Sequence, residues 1–255
     1  MRNLQDKLVW ITGAGTGIGA AGAEKLAAAG CRVILSGRRK EPLQEIADAI
    51  NKAGGNANVE VLDVSDRVAV AAVGARIASE YGNVDVLINN AGINIPNRHW
   101  PDVGHDDWDA VINIDLNGAF YCIQAVLPGM RSRGEGLVIN VSSWAGARVS
   151  FLTGPAYTAA KHAMNAMTEN LNMEECINGI RACAICPGEV STPIMDKRPV
   201  PMSAEDRADM VQPEDMGDTL LFVASMPAHV CINELIISPT RNRQYLRFHE
   251  ASGPE

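Results

Sequence analysis

The stretch Thr12-Gly13-Ala14-Gly15-Thr16-Gly17-Ile18-Gly19 decides how this chain folds. The stretch begins at the last residue of the apolar run Lys7–Thr12, which is predicted to be a β-strand. It continues into Thr16–Ala29, which is predicted to be a helix. Glycines at such a turn let the backbone approach a pyrophosphate, and the helix N-terminus supplies N–H groups and a favourable dipole. A plain tight strand-to-helix connection is the alternative, but the position in a first β-α unit favours a dinucleotide site.

The residues after the second predicted strand, Arg32–Ser36, indicate which dinucleotide binds. An Asp or Glu there would bond the 2′-hydroxyl of the ribose and favour NAD(H). This chain instead has Gly37, followed at once by Arg38 and Arg39. A guanidinium suits a 2′-phosphate, so Arg38 favours NADP(H), with NAD(H) as the alternative cofactor. The two arginines could also be solvated charges that open a helix.

Short apolar runs alternate with helical patterns along the rest of the chain. Further strands are predicted at Asn58–Leu62, Val84–Asn89, Gly136–Val141, Ile180–Cys186 and Cys231–Ser238. Further helices are predicted at Glu41–Ala53, Asp66–Tyr81, Asp106–Arg133, Pro155–Asn178 and Pro213–Ser225.

The runs Val-Ile-Leu, Val-Leu-Ile and Leu-Val-Ile-Asn-Val in these strands indicate burial on both faces, as in a parallel sheet covered by helices. The pattern predicts an α/β fold with a doubly wound parallel seven-stranded sheet, a Rossmann-type single domain. This domain spans residues 1–240, and a polar C-terminal tail follows at 241–255. The long proline-containing stretch Ser191–Gln212 is expected to be a mobile lid.

Composition narrows the choice of partners. A net charge of −8 argues against nucleic acid and anionic membranes as partners. The first ten residues lack the apolar core of a signal peptide, which predicts a cytoplasmic protein. Cys183 and Cys186 form a C-x-x-C pair, but side chains three apart on a strand point to opposite faces. A redox or zinc pair is therefore not expected, and no metal site is predicted.

Tyr157 and Lys161 stand four residues apart on a predicted helix, so the phenol and the ammonium share one face. A nearby ammonium favours the phenolate and should lower the tyrosine pKa toward the working pH. The phenol could then give a proton to a carbonyl oxygen, or take one from an alcohol.

With these residues in place, the chain resembles the short-chain dehydrogenase/reductase family, in its compact single-domain branch, from Lys7 to about Pro239. The matching segments, in the family's order, are Thr12–Gly19, Asp63-Val64, Asn89-Asn90-Ala91-Gly92, Ser142-Ser143, Tyr157 with Lys161, and Pro187-Gly188 with Val190 and Thr192. The resemblance implies that the residues binding the cofactor are Gly13, Gly15, Thr16, Gly17, Ile18, Gly19, Arg38, Asp63, Val64, Asn90, Ala91, Gly92, Tyr157, Lys161, Pro187, Gly188, Val190 and Thr192.

The resemblance also assigns catalytic roles. It implies that Ser143 donates to the carbonyl oxygen, that Tyr157 is the acid/base, and that Lys161 tunes Tyr157 and binds the nicotinamide ribose. Ser142 should be turned away by the alternation of its strand. The family's long helix usually carries Asn where this chain has Asp115. Asp115 is therefore a fourth catalytic candidate.

These features predict an oxidoreductase that transfers a hydride between NADP(H) and a small alcohol/ketone pair. The ending Ile237-Ser238-Pro239-Thr240-Arg241-Asn242 resembles relatives that act on hydroxy acids. The alternative is a catalytically silent nicotinamide-binding sensor or scaffold. Asp115 is the one sequence feature that favours this alternative. An isomerase or epimerase usually needs a longer substrate domain.

Substrate contacts are expected from residues 93–100, 144–152 and 191–212, with Arg98, His99, Trp144 and Arg148 as candidates to meet an anionic or aromatic group. The family resemblance implies a homo-oligomer, either a tetramer or a dimer, formed through the two long helices and the last strand.

Overall fold

A computed structural model describes residues 2–197, 202–243 and 245–246 of the chain. Seven parallel strands form one sheet in the order β3-β2-β1-β4-β5-β6-β7. The strands are β1 (Leu8–Thr12), β2 (Arg32–Gly37), β3 (Asn56–Val61), β4 (Val86–Asn89), β5 (Gly136–Val141), β6 (Ile180–Pro187) and β7 (Glu234–Ile237). Strand order reverses between β1 and β4, so the sheet is doubly wound, as predicted.

Helices cover both faces of the sheet. They are α1 (Gly17–Ala28), α2 (Lys40–Lys52), α3 (Arg67–Glu80), α4 (His105–Ile112), α5 (Gly118–Arg133), α6 (Trp144–Ala147), α7 (Gly154–Glu175), α8 (Ala204–Ala208) and α9 (Pro213–Ala224). Short 3-10 turns lie at Phe151–Thr153, Cys176–Asn178 and Pro193–Lys197. The short helices α6 and α8 were not predicted, because each is under two turns and carries no readable period.

Successive side chains of β1 point to opposite faces of the sheet and pack into two separate hydrophobic cores. Val9 and Ile11 pack with α1, α2 and α9, whereas Leu8 and Trp10 pack with α3 and α5. All four are fully buried, and burial of each such side chain contributes about 1.5–3 kcal/mol. Strand β1 is therefore buried on both faces along its whole length.

The helix predicted over Asp106–Arg133 runs from His105 to Arg133, but its turns widen in the middle. A π-helical segment, Asn113–Asn117, joins α4 to α5 and places Asp115 in its middle. Such π segments occur mostly as single turns inside α-helices, and they are frequent at functional sites. Within the described part of the chain, the joined helix His105–Arg133 is also the one helix long and apolar enough to cross a membrane. That is weak support for a span, because α5 packs against α3, β4 and β5 as a core helix does.

The last strand of the sheet also differs from its prediction. Strand β7 is shorter than the predicted Cys231–Ser238, and its residues are exposed or half-buried because it is the last strand of the sheet. Cys183 and Cys186 are both buried free thiols, and burial raises the pKa of Cys183 to about 12. Among the described residues no cluster of His, Cys, Asp or Glu could hold a metal ion.

Candidate active site

A cleft of about 1300 Å³ opens at the carboxyl edge of the sheet, above the point where strand order reverses. Ligands of open α/β sheets bind in this position. The residues proposed to bind the cofactor line it, except Gly19, which is buried in the glycine turn. Ser143, Tyr157 and Lys161 line the same cleft, and Asp115 lies buried behind Lys161.

The glycine loop has no room for side chains. Gly13 has a φ of +65°, and a Cβ there would lie 2.9 Å from the Cα of Ala91. The Asn90 side chain donates to the carbonyl oxygens of Thr12 (3.1 Å) and Gly13 (3.0 Å), which fixes the turn to the end of β4. Gly17 has a φ of +58°, and its Cβ would lie 2.9 Å from the Thr192 methyl. The loop is therefore packed between the segments that follow β4 and β6.

The N-terminus of α1 is open for an anion. Thr16, the residue before the helix, makes no side-chain cap, so no side chain of Thr16 occupies the first N–H groups. These groups carry the positive end of the helix dipole and suit a pyrophosphate. Arg38 and Arg39 are exposed at the adenosine end of the same cleft, beside Asp63 and Val64. The residues present thus fit a nicotinamide dinucleotide.

Tyr157 and Lys161 sit on the first two turns of α7, facing the end of β5. The Lys161 ammonium donates to the carbonyl oxygen of Val141 at 3.0 Å and lies 5.5 Å from the centroid of the Tyr157 ring. Ser143 follows β5, and its hydroxyl interacts with the phenol. The Ser142 hydroxyl is buried and donates to the backbone oxygen of Lys161 at 3.3 Å, although Ser142 also lies in the wall of the cleft.

The Asp115 carboxylate is fully buried between the segment after β4 and α7. Oδ1 accepts the backbone N–H of Ile93 at 2.7 Å, and Oδ2 lies 3.5 Å from the Lys161 ammonium. Gly92 leaves the space for this pair, because a Cβ there would lie 3.2 Å from Asp115 Oδ2. Burial raises the pKa of Asp115 to about 6, although Lys161 and the Ile93 N–H act in the opposite direction.

Burial also determines the direction of the Tyr157 pKa shift. It raises the pKa of the phenol above its ordinary value, and the Asp115 carboxylate adds to that rise. Lys161, Ser143 and Arg98 lower the Tyr157 pKa, but less than burial and Asp115 together raise it. Lys161 therefore acts in the direction expected from the sequence, whereas the net pKa shift is the reverse of the expected lowering. At neutral pH the phenol keeps its proton, which is the form that donates to a carbonyl oxygen.

A series of hydrogen bonds between buried polar side chains lies beneath the site. The Asn89 amide donates to Asn140 Oδ1 (2.9 Å), and the Asn140 amide donates to Thr168 (2.8 Å). These bonds tie β4, β5 and α7 together beneath the residues proposed to be catalytic. Asn140 could have been noticed in the sequence as the one polar residue in the run Leu-Val-Ile-Asn-Val.

The segment after β7 forms one wall of the cleft, although its composition suggests a loose tail. Pro239, Asn242, Arg243 and Leu246 line the cleft. Arg243 makes a two-pronged ion pair with Glu189 (2.9 and 2.6 Å), next to Gly188. The Tyr245 ring meets Trp144 edge to face, with 5.8 Å between centroids. Sequence analysis named Trp144, Pro239 and Asn242 but did not predict this wall, because nothing in the order of the sequence pairs residue 189 with residue 243.

Comparisons with known proteins agree with this geometry. Residues 7–201 match the family model for short chain dehydrogenases. A Bacillus subtilis protein described as an uncharacterized oxidoreductase is 37% identical over 238 residues, which cover 88% of this chain and 86% of that protein.

Two solved structures share the fold. A metagenomic short-chain oxidoreductase in complex with NADP is 30% identical, with a TM-score of 0.81, over 93% of this chain and 99% of that one. The closed form of a serine dehydrogenase with NADP+ is 32% identical, with a TM-score of 0.81, over 91% and 94% of the two chains. These neighbours give no support to a catalytically silent binding protein. The chain belongs to the short-chain dehydrogenase/reductase family and is an NAD(P)-dependent oxidoreductase.

Proposed function

We propose that the protein transfers a hydride between NADP(H) and a small alcohol/ketone pair, with hydroxy acids as the narrower substrate class. The observation that carries this proposal is the meeting of Ser143, Tyr157 and Lys161 at one point of the cleft. A protein that only bound a dinucleotide would need no phenol and ammonium at that point. The serine dehydrogenase neighbour, which acts on a hydroxyl-bearing acid, supports the narrower class.

Each of the three residues has one task in this scheme. The cofactor supplies or accepts the hydride. The Tyr157 phenol gives a proton to the carbonyl oxygen in reduction and removes the hydroxyl proton in oxidation. The Ser143 hydroxyl donates to the same oxygen and stabilises the charge that develops on it. Lys161, held by Val141 and Asp115, keeps a positive charge beside the phenol and binds the nicotinamide ribose.

The experiment that tests this proposal measures absorbance at the reduced-nicotinamide band. The protein is mixed with NADPH and a panel of ketones and keto acids, or with NADP+ and the matching alcohols. Turnover of at least one pair supports the proposal. Tight NADPH binding without turnover of any member would contradict it.

Arg38 motivates the preference for NADP(H). It is exposed at the adenosine end of the cleft, where no acidic residue follows β2, and the neighbouring structures contain NADP. We expect Arg38→Ala to weaken NADPH binding by about tenfold or more while leaving NADH binding nearly unchanged, because a charge-assisted bond to phosphate contributes about 1.5–3 kcal/mol. Titration of protein fluorescence with each cofactor measures both affinities. Equal affinities for NADPH and NADH in the unmutated protein would contradict the preference.

The stretch 191–212 is proposed to close over the bound ligands. Its two ends are tied, since the Ser191 N–H donates to Val211 O (2.9 Å) and the Val211 N–H to Glu189 O (3.1 Å). Pro193 and Met195 line the cleft between these ends. We expect amide hydrogen exchange in 191–197 and 202–212 to slow when NADP(H) and a substrate analogue bind. Unchanged exchange would identify a static loop. The prolines at 199 and 201, which also motivated this expectation, lie outside the described residues.

Location and assembly are also proposed. All six cysteines are free thiols, as is usual for proteins of the reducing cytoplasm, and this supports a cytoplasmic location. Large apolar side chains are exposed on both long helices and on the last strand: Phe120, Met173 and Ile236. Exposed apolar surface of this kind marks protein contacts and supports a homo-oligomer, either a tetramer or a dimer.

A further inference from the structure

The backbone around Glu189 joins three segments at the carboxyl edge of the sheet. The Glu189 carbonyl oxygen accepts the N–H of Val211, at the far end of the 191–212 stretch, at 3.1 Å. One residue earlier, the Gly188 N–H donates to the carbonyl oxygen of Ile237, the last residue of β7, at 2.7 Å. Glu189 therefore lies where the end of β6, the base of the 191–212 stretch and the end of β7 meet.

The side chain of Glu189 is held from the segment that follows β7. The Arg243 guanidinium donates to both carboxylate oxygens of Glu189, at 2.9 and 2.6 Å, and to the Met202 sulfur at 3.5 Å. A two-pronged pair of this kind fixes the relative orientation of the two groups as well as their separation. Arg243 thus connects the segment after β7 to the residue after Gly188 and to the second half of the 191–212 stretch.

The position of Arg243 is itself fixed by a helical turn. The N–H groups of Tyr245 and Leu246 donate to the Asn242 carbonyl oxygen at 2.8 and 3.0 Å. Asn242 is buried, and the Tyr245 ring packs edge to face on Trp144 in the wall of the cleft. The segment after β7 is therefore attached to the site on both sides of Arg243, so this arginine can hold Glu189 in one place.

The residues after β6 lie at the nicotinamide end of the cleft. In the sheet β6 pairs with β5, which Ser143 follows, whereas Arg38 follows β2 on the other side of β1. The Thr192 methyl group packs on the glycine turn, since a Cβ at Gly17 would lie 2.9 Å from it. A dinucleotide with its adenosine beside Arg38 and its pyrophosphate at the glycine turn places its nicotinamide between Ser143 and the segment after β6.

We propose that the Arg243–Glu189 pair positions the segment after β6 against the nicotinamide, and so controls how tightly this half of the cofactor is held. The inference rests on the proposed cofactor, and it adds Arg243 as a positioning residue that acts through Glu189. The exposed fractions of the two side chains are 39% and 20%, so water partly screens the pair and its effect is moderate.

The test compares the whole cofactor with a fragment that lacks the nicotinamide. Calorimetric titrations measure the affinities for NADPH and for 2′-phospho-ADP-ribose, which keeps the adenosine, the 2′-phosphate and the pyrophosphate. If the unmutated protein binds NADH more tightly, NADH and ADP-ribose take their places. Arg243→Met should weaken binding of the whole cofactor by about three- to tenfold, as expected for a partly screened two-pronged pair, and leave the fragment unchanged. Arg243→Lys keeps the charge but not the fork, and its loss should be smaller.

Two further variants show whether the pair acts as one unit. Glu189→Gln should cause the same loss as Arg243→Met, and the double variant should lose no more than either single one, because each change already removes the pair. A further loss in the double variant would mean that Glu189 acts on the cofactor without Arg243, which would contradict the proposal. Arg241→Met is the matched control, since Arg241 pairs with Asp209 at the surface, at 3.7 Å, and should leave both affinities unchanged.

Two results for Arg243→Met would overturn the proposal. One is an unchanged affinity for the whole cofactor, and the other is an equal loss for the cofactor and the fragment, as a general loosening of the fold would produce. Thermal unfolding shows whether Arg243→Met folds, and if it does not, Arg243→Lys and Glu189→Gln supply the same comparison. The proposed function fails separately, if no carbonyl compound oxidises NADPH, because the ratio of the two affinities requires no turnover.

Discussion

Tyr157→Phe is expected to lose about 10²–10⁴-fold in turnover while it keeps its fold and its affinity for NADP(H). The reason is that the substitution removes only the hydroxyl oxygen. The ring keeps its place on α7, and the Lys161 ammonium keeps its bond to Val141. Without the phenol, the acid/base group that the proposal assigns to the carbonyl oxygen is missing. Steady-state rates and NADPH titrations of the same preparation measure the two quantities.

The control variant removes the hydroxyl oxygen of a tyrosine outside the site. Tyr81 caps the C-terminus of α3 and is not among the residues that line the cleft, so Tyr81→Phe should retain normal turnover. Ser143→Ala should also be slow, since it removes the donor that interacts with the phenol. Full activity in Tyr157→Phe would remove this residue from the mechanism and leave Ser143 and Lys161 to be explained in another way.

Most of the sheet could be predicted from the sequence, because in a parallel sheet each strand is a short apolar run between helices. The glycine turn could be predicted for the same local reason: strand, turn and helix are consecutive in the chain. Tyr157 and Lys161 are one helical turn apart, so their proximity also follows from local geometry. The choice of these residues, rather than another such pair, came from the family resemblance.

What could not be predicted depends on contacts between distant residues. The π segment around Asp115 satisfies an N–H of Ile93, 22 residues away in the chain, and nothing in the local pattern announces it. The wall formed after β7 depends on the pairing of Arg243 with Glu189. The direction of the Tyr157 pKa shift depends on burial, which opposes Lys161 and is stronger, and a sequence gives no measure of burial at one atom.

Asp115 replaces the family's usual Asn, and its surroundings make the consequence of that replacement testable. A polar side chain inside a helix commonly bonds the backbone of its own helix. The carboxylate instead bonds the Ile93 N–H, and its other oxygen faces the Lys161 ammonium at 3.5 Å. As a negative charge near the phenol, it raises the Tyr157 pKa. Asn at this position would keep an acceptor for Ile93 and would remove the charge.

We therefore expect Asp115→Asn to stay active and to shift the pH–rate profile of alcohol oxidation toward lower pH. Oxidation needs the phenolate, so its rate rises with pH through the Tyr157 pKa, and a lower pKa moves that rise to lower pH. The two proteins should converge below about pH 6, where Asp115 is itself protonated and both carry no charge at this position. Rates of NADP+ reduction across this pH range, at saturating alcohol, measure the shift.

Asp115→Leu separates charge from hydrogen bonding. It leaves the Ile93 N–H without its acceptor and Lys161 without its anionic partner, at a cost of about 1–3 kcal/mol for each buried group. We expect turnover to fall by at least about tenfold, since each 1.36 kcal/mol at the transition state is a factor of ten. NADPH affinity and thermal unfolding show whether Asp115→Leu still folds. Superimposable pH profiles for the unmutated protein and Asp115→Asn, together with a slow Asp115→Leu, would mean that the carboxylate acts only as an acceptor for Ile93. The choice of Asp over Asn would then have no catalytic effect.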